Sequence, residues 1–353
     1  MSVRCCYLGL PAMVVRMHLN ETPFPPTPLV EEYLRKYASM LNRYSDEDLT
    51  NELLDELAEY VDVNRGYLSI YPSSSAILLT LLRYARKKGL RFVMLRPGFH
   101  AMYEFAKIED VGIENLDLKL PDFTIDKSEV IERVDKSTVL YVSNPNNPTS
   151  NLLLTNRDRD FVVELCGRAH TVVMDEAYYE FSGITFTELV ASGECRNLVI
   201  VRTFSKAFAL AGARIGYLIG YPELVRELDG LRTLYEVPIP SLAAALAALR
   251  DLDYMKKIVA KVIELRNNLA EKLRHDLGLR VLPSATNFLF VEMPVEAKIV
   301  AEKLRERGFL TTVFKDPMIK KFLRVSVATE EDNSKFVDEL KNVLRKIEER
   351  SAT

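Results

Sequence analysis

The sequence predicts an α/β protein, with a larger domain on a mainly parallel sheet and a smaller α+β domain at its C-terminal end. Three observations predict it. Short runs rich in Val, Ile, Leu and Tyr alternate with helical patterns through the middle of the chain. Most of these runs are apolar without strict alternation, as strands covered on both faces are. After Tyr235 the pattern changes to longer helical stretches with fewer β-like runs.

In chain order, the first twenty residues are mildly apolar and lack the apolar core and small-residue cleavage site of a secretory signal. They read as an arm, continued by the Pro-rich segment 21–28, which favours an extended course into a helix at Leu29. Strands are expected at 67–71, 91–95, 112–116, 138–143, 171–174, 198–203 and 215–219. Amphipathic helices are expected between them, at 75–88 and 157–169 among others. Prolines 238 and 240 interrupt any helix over 236–240. Helices then follow at 241–250, 254–277, 295–307 and 330–350, and β-like runs at 287–292, 310–314 and 322–327. The expected organisation is an arm over 1–28, a large domain over 29–240 and a small domain over 241–353.

Composition narrows the function. Of 353 residues, 48% are hydrophobic and 27% charged, the balance of a soluble globular protein rather than a disordered or collagen-like one. Lys and Arg total 47 against 50 acidic residues, so no basic footprint for nucleic acid is present. No apolar run approaches the ~20 residues of a membrane span, and a cytoplasmic location is expected. Cys5, Cys6, Cys166 and Cys195 form no CxxC pair, and no two of the four histidines pair at i, i+4, so no metal site is expected. Gln and Trp are absent while Lys, Arg and Glu abound, a bias that points to a thermophilic source.

Ligands of open parallel sheets bind beyond the carboxyl ends of the strands. There the chain places Asn144-Pro-Asn-Asn-Pro-Thr149, Asp175-Glu-Ala-Tyr178, Thr203-Phe-Ser-Lys-Ala-Phe208 and Gly212-Ala-Arg-Ile-Gly216. Singly, these are a turn, a helix cap and a surface lysine. Together, at successive strand ends, they suit pyridoxal phosphate. That cofactor takes a Lys as a Schiff base and an acid at its ring nitrogen, which keeps the ring protonated as an electron sink. Asp175 meets the second need, and Asn147 and Tyr178 offer hydrogen bonds to the phenolic oxygen. Ser73, Ser74 and Ser75 open a helix after a strand, and Ser205 and Arg214 flank Lys206. Helix-start amides, hydroxyls and a guanidinium are the groups that hold a phosphate. No Gly-x-Gly-x-x-Gly follows the first strand, which argues against a nicotinamide dehydrogenase.

The sequence resembles the fold-type I pyridoxal-phosphate aminotransferases, and within them the histidinol-phosphate aminotransferase family. The resemblance runs from Leu19-Asn-Glu-Thr-Pro23 to Leu323-Arg-Val-Ser-Val-Ala-Thr329, with residues 203–217 its most specific stretch. It implies a seven-stranded, mainly parallel sheet in the large domain. It also implies Lys206 as the Schiff-base lysine and proton carrier, Asp175 at the ring nitrogen, and Asn147 and Tyr178 at the phenolic oxygen. Phe99 would stack on the ring, and Ser73, Ser74, Ser205 and Arg214 would hold the phosphate. Tyr44 would reach the phosphate of the neighbouring subunit in a homodimer. Arg324 would bind the substrate's anionic end, with Lys315 and Asn20 also on the substrate.

Three departures stand out: Pro72-Ser-Ser-Ser75 for the family's Gly-Ser/Ala-Asp-Glu, Ser150 for a Gly, and Lys315 for an Arg that grips a substrate phosphate. The activity implied is transamination between histidinol phosphate and 2-oxoglutarate. The alternatives are an aromatic amino acid, for which Tyr7, Phe24, Phe99 and Tyr103 would line a pocket, and a threonine-phosphate decarboxylase-like lyase. A catalytically silent sensor on the same fold is disfavoured, because the lysine, the acid and the Asn are all retained.

Overall fold

The apolar runs become twelve strands in the structure, a computed structural model that describes residues 14–44 and 47–351, with side chains as far as Glu349. Cys5, Cys6 and Tyr7 lie outside the described residues, as does the expected arm up to residue 13. In chain order the strands are β1 (Val15–Arg16), β2 (Leu68–Tyr71), β3 (Arg91–Arg96), β4 (Ile113–Asp117), β5 (Thr138–Ser143), β6 (Thr171–Asp175), β7 (Leu198–Thr203), β8 (Gly216–Gly220), β9 (Arg280–Val281), β10 (Phe288–Glu292), β11 (Phe309–Leu310) and β12 (Phe322–Ser326). The described chain divides into two compact units, one over Phe24–Ala260 and one made of the residues up to Pro23 and from Lys261 onward.

The larger unit holds a seven-stranded sheet in the order β2-β8-β7-β6-β5-β3-β4. Only β8 runs against its neighbours, antiparallel to both β2 and β7. Every residue of β5, β6, β7 and β8 is buried, which is why those runs carry no alternation. Helix Ser74–Lys88 packs on one face, its Ile77, Leu78, Leu81 and Tyr84 joining Val139, Tyr141, Val173, Val199 and Val201 in one core.

Several sequence expectations shift. Tyr67 belongs to a tight 3-10 turn rather than to β2. Pro240 does not prevent a helix, because the helix starts at Ile239 and places the proline in its first turn, where the missing N–H costs nothing. That helix, Ile239–Leu249, lies against helices Leu29–Tyr37 and Glu47–Val61 and so groups with the larger unit. The end of the Pro-rich segment does not stand clear either. Thr27 is buried and donates to Asp251 at 2.5 Å, and Pro25 O accepts from the Tyr254 hydroxyl at 3.0 Å.

The smaller unit pairs β10 antiparallel with both β12 and β9, and β1 parallel with β11. The expected strand at 310–314 is cut short, since beyond Leu310 only a single bridge, Thr312 to Arg324, is made. Leu269, Leu273, Leu289, Val291, Phe336 and Leu340 centre its core.

Where β6 and β7 end, the larger unit buries an ion pair. Arg202 and Glu176 have side chains 2% and 1% exposed and meet at 2.8 Å. Glu176 also accepts from the Thr185 hydroxyl and from Phe186 N, and the guanidinium lies 3.6 Å from the centre of the Tyr179 ring. Burial pushes the Glu176 carboxyl up, and Arg202 opposes it. Replacing Arg202 by Met leaves that carboxylate buried without its cation, so the variant should lose about 3–5 kcal/mol of unfolding free energy. The double variant with Glu176→Gln should recover part of it. Urea denaturation measures both, and a loss below about 1 kcal/mol for the single variant would remove the pair from its structural role.

Candidate active site

The strand register carries the candidate residues to one edge of the larger unit's sheet. Thr203 of β7 pairs with Gly216 of β8, and Gly216 with Tyr71 of β2. The three residues lie in a row, and Ser73, Ser205 and Arg214 all sit within two residues of it along the chain. The row is tight: a Cβ on Gly216 would lie 2.7 Å from Ser74 N and 2.9 Å from Arg202 O, both backbone atoms that cannot swing away. Ser73 caps helix Ser74–Lys88, its hydroxyl accepting from Ala76 N at 3.2 Å. The amides of Ser74 and Ser75 are thereby at a helix start, where an anion is favoured. Arg214, in the left-handed region at φ +51°, donates to Ser205 Oγ at 3.5 Å. Pro72-Ser-Ser-Ser75 therefore keeps the helix-start geometry without the family's acidic residues.

Lys206 follows β7 in a turn closed by Ala209 N to Lys206 O at 3.1 Å and seated on Phe204 and Phe208, whose rings are 4.8 Å apart. Its Nζ stands 5.8 Å from the centre of the Tyr178 ring. Tyr178 is buried, as is Asn147. The Asn147 turn is built by its neighbours. Asn144 accepts from Leu153 N and Leu154 N, and Asn146 donates to Pro97 O at 2.9 Å, binding this loop to the one that carries Phe99. Ser150 takes φ +66° and closes on Asn146 O at 2.9 Å. The turn thus keeps the left-handed shape that a Gly would adopt, at a cost of roughly 1 kcal/mol. Phe99 is half-buried and meets Phe105 edge-on at 6.4 Å.

Asp175, 5% exposed, ends β6. Its Oδ2 accepts from the Tyr141 hydroxyl at 2.6 Å and its Oδ1 from Ala177 N at 3.1 Å. Burial pushes the carboxyl up to about 6, opposed by these two donors and by the charge of Lys206. Tyr141 is the residue that sequence reasoning missed. In an apolar β5 run it reads as core, and only the pairing of Tyr141 with Val173, two residues before Asp175, shows that it faces the acid.

Tyr44, by contrast, is not buried. It is 77% exposed and stacks on Tyr235, itself 62% exposed, at 5.0 Å.

In the smaller unit the structure gathers Asn20 and Arg324. Arg324 donates to His18 O at 2.7 Å and to Thr312 Oγ1 at 3.2 Å. Asn20, at φ +54°, is fixed by Ser326 on both its amide N–H and its Oδ1, and by Asn287 on its carbonyl. Lys315 is exposed, three residues beyond the Thr312–Arg324 bridge.

Comparison with known proteins gives this arrangement its family. The profile for "Aminotransferase class I and II" matches residues 13–340. The chain belongs to the class I and II aminotransferases. The histidinol-phosphate aminotransferase of Sulfurisphaera tokodaii is 32% identical to this aminotransferase over 320 residues, 90% of this chain and 87% of that protein. Histidinol-phosphate aminotransferase 2 of Archaeoglobus fulgidus is 30% identical over 94% and 93% of the two chains. The solved histidinol-phosphate aminotransferase from Sinorhizobium meliloti, in complex with pyridoxal-5'-phosphate, matches with a TM-score of 0.85 at 25% identity, over 95% of this chain and 92% of that one. This aminotransferase is a pyridoxal-phosphate-dependent enzyme of the fold-type I class.

The state of Asp175 makes the cofactor-free enzyme sensitive to pH. A carboxyl held near 6 rather than at its ordinary 3.8 adds stability at low pH that disappears as the pH rises through 6. At neutral pH the ionised, buried carboxylate costs the cofactor-free enzyme up to about 3 kcal/mol. Asp175→Asn should therefore stabilise that form at pH 7.5 and leave it unchanged near pH 4. Tyr141→Phe, which deletes one of the two donors, should move the transition above pH 6. Denaturation curves of cofactor-free enzyme between pH 4 and 8 test this, and curves that keep the parental pH dependence in both variants would refute it.

Proposed function

We propose that this aminotransferase transfers the amino group of histidinol phosphate to 2-oxoglutarate, with the residues above in the following roles. The observation that carries the substrate is the likeness, across nearly the whole length of each chain, to relatives that are histidinol-phosphate aminotransferases. The donor set fits pyridoxal phosphate, with a buried carboxylate that gains from a cationic partner, a lysine near an aromatic ring, and a serine–arginine pair beside a helix start. When bound, pyridoxal phosphate supplies a carbonyl that condenses with amines and a ring that withdraws electrons.

The chain's own residues do the rest. Asp175 holds the proton on the ring nitrogen, and Tyr141 and Ala177 N hold Asp175. Asn147 and Tyr178 donate to the phenolic oxygen, and Phe99 covers a ring face. Ser205, Arg214 and the Ser73 and Ser74 amides bind the phosphate. Lys206 takes the proton from the substrate's Cα and returns it, the work of a base held within reach of that atom. Arg324 binds the anionic end of each substrate, with Asn20 beside it in the smaller unit, and Lys315 supplements the grip on a substrate phosphate as a point charge.

The active enzyme is a homodimer. Tyr44, Tyr235, Leu41 and Leu234 form an exposed apolar set that a second copy would cover, with Tyr44 completing the neighbour's phosphate site. The enzyme works in the cytoplasm, and the absence of Gln beside the many ion pairs suits a thermophilic source.

Spectral half-reactions with histidinol phosphate, Phe, Tyr, Asp and Glu test the substrate. Histidinol phosphate should convert the cofactor band fastest, and Phe leading instead would establish the aromatic reading. Lys315→Ala should raise KM for histidinol phosphate about tenfold, the loss of one charge-assisted hydrogen bond, and leave Phe unaffected. Equal losses on both would exclude a phosphate-specific role. For the dimer, mixing inactive Lys206→Ala chains with impaired Tyr44→Ala chains should restore about a quarter of parental activity, because half of the random dimers carry one intact site of two. Full activity in a monomeric gel-filtration peak would refute the shared site.

A further inference from the structure

Glu180 has no place in the chemistry above, yet it links two parts of the site. It lies two residues beyond Tyr178, in the short helix Tyr179–Ser182. Its Oε1 accepts from the Tyr60 hydroxyl at 3.3 Å. Tyr60 belongs to helix Glu47–Val61, and its ring meets Phe208 edge-on at 5.8 Å. Phe208 lies 4.8 Å from Phe204, and these two rings seat the turn that carries Lys206. Phe204 also meets Tyr217 at 5.6 Å, but the Tyr217 hydroxyl is buried with no hydrogen-bond partner among the described residues. Of the two tyrosines that flank the phenylalanines, Tyr60 is therefore the one held by a polar bond, and Glu180 makes that bond.

We propose that Glu180 is a positioning residue for transamination, holding the Lys206 turn in place through Tyr60 and Phe208. The inference rests on the reading of Lys206 as the base that moves the substrate's Cα proton. Such a base works when it is held within reach of that proton, and a misplacement of 1 Å costs about 10²-fold in rate. The ring contacts fill space but set little direction. The bond from hydroxyl to carboxyl fixes where the Tyr60 ring stands, and so where Phe208 rests.

The strength of this fastening follows the charge on Glu180. Burial pushes the carboxyl up to about 7, against Arg202, an amide of its own helix and the Tyr60 hydroxyl, with Glu176 adding to the push. Burial also holds the proton on Tyr60, which therefore stays a donor at every working pH, and on Tyr217, the residue paired with Arg202 across β7 and β8. Above about pH 7 the Tyr60 bond is made to a carboxylate, and such a bond is roughly twice as strong as one between neutral groups. Below it the acceptor is a neutral acid, which a Gln at the same position resembles.

The test follows the spectral half-reaction of holoenzyme with L-glutamate at about pH 6 and about pH 8, over a range of glutamate concentrations. Glu180→Gln should lower the saturating rate about tenfold at the higher pH and by no more than about twofold at the lower, with the half-saturating concentration unchanged. Tyr60→Phe, which keeps the ring and deletes the donor, should be slow at both pH values and guards against one variant failing to fold. The double variant should be no slower than Tyr60→Phe alone, because the two residues act through one bond. Parental rates in both single variants, a loss in Glu180→Gln that is the same at both pH values, or a change confined to the half-saturating concentration would overturn the proposal. Lys206→Ala measured alongside separates the two readings. An inactive Lys206→Ala beside unaffected Glu180 and Tyr60 variants removes this inference alone, whereas a parental rate in Lys206→Ala removes the role of Lys206 and this inference with it.

Discussion

The chemistry depends on a charge that the larger unit buries at the end of its two central strands. Glu176 and Arg202 cannot separate without leaving an unpaired ion in the core, and the remaining capacity of the carboxylate is filled by Thr185 and Phe186 N. The pair joins the residue after β6 to the penultimate residue of β7. Asp175 precedes Glu176 and Lys206 follows Arg202 by four positions, so one interaction fixes the origin of the candidate acid and of the candidate base. Its contribution is to geometry more than to net stability, since a buried pair roughly breaks even against apolar residues of similar volume.

From that origin the sheet register does the assembling. The row Thr203, Gly216, Tyr71 brings three loops from distant parts of the chain to one place, and the approach at Gly216 excludes any side chain there. Left-handed backbone at Ser150 and Arg214 marks where the loops bend against their local preference, at positions that carry or support candidate ligands.

Much of this was legible in the sequence because covered strands leave unbroken apolar runs, and the runs at 138–143 and 198–203 became β5 and β7 without change. The motif residues were legible because chemistry at strand ends needs polar side chains in otherwise apolar surroundings. Features that depend on pairing were not legible. Two-residue strands such as β1 and β9 are too short for a period to register. Tyr141 differs from a core tyrosine only in what lies across from it on β6. Prolines 238 and 240 stopped a helix on paper because their tolerated places, one just before the helix and one in its first turn, depend on where the helix begins.

Asp175 and Glu176 are consecutive acids with opposite duties. Side chains alternate along a strand, so one carboxylate meets Tyr141 on β5 while the next meets Arg202 on β7. A single residue inserted or deleted between Thr171 and Asp175 would exchange them, sending the longer acid toward Tyr141 and the shorter one toward the guanidinium. Exposed loops can lengthen at little thermodynamic cost, but β6 must keep its length to the residue. Its tolerance is to substitution and not to a change of register.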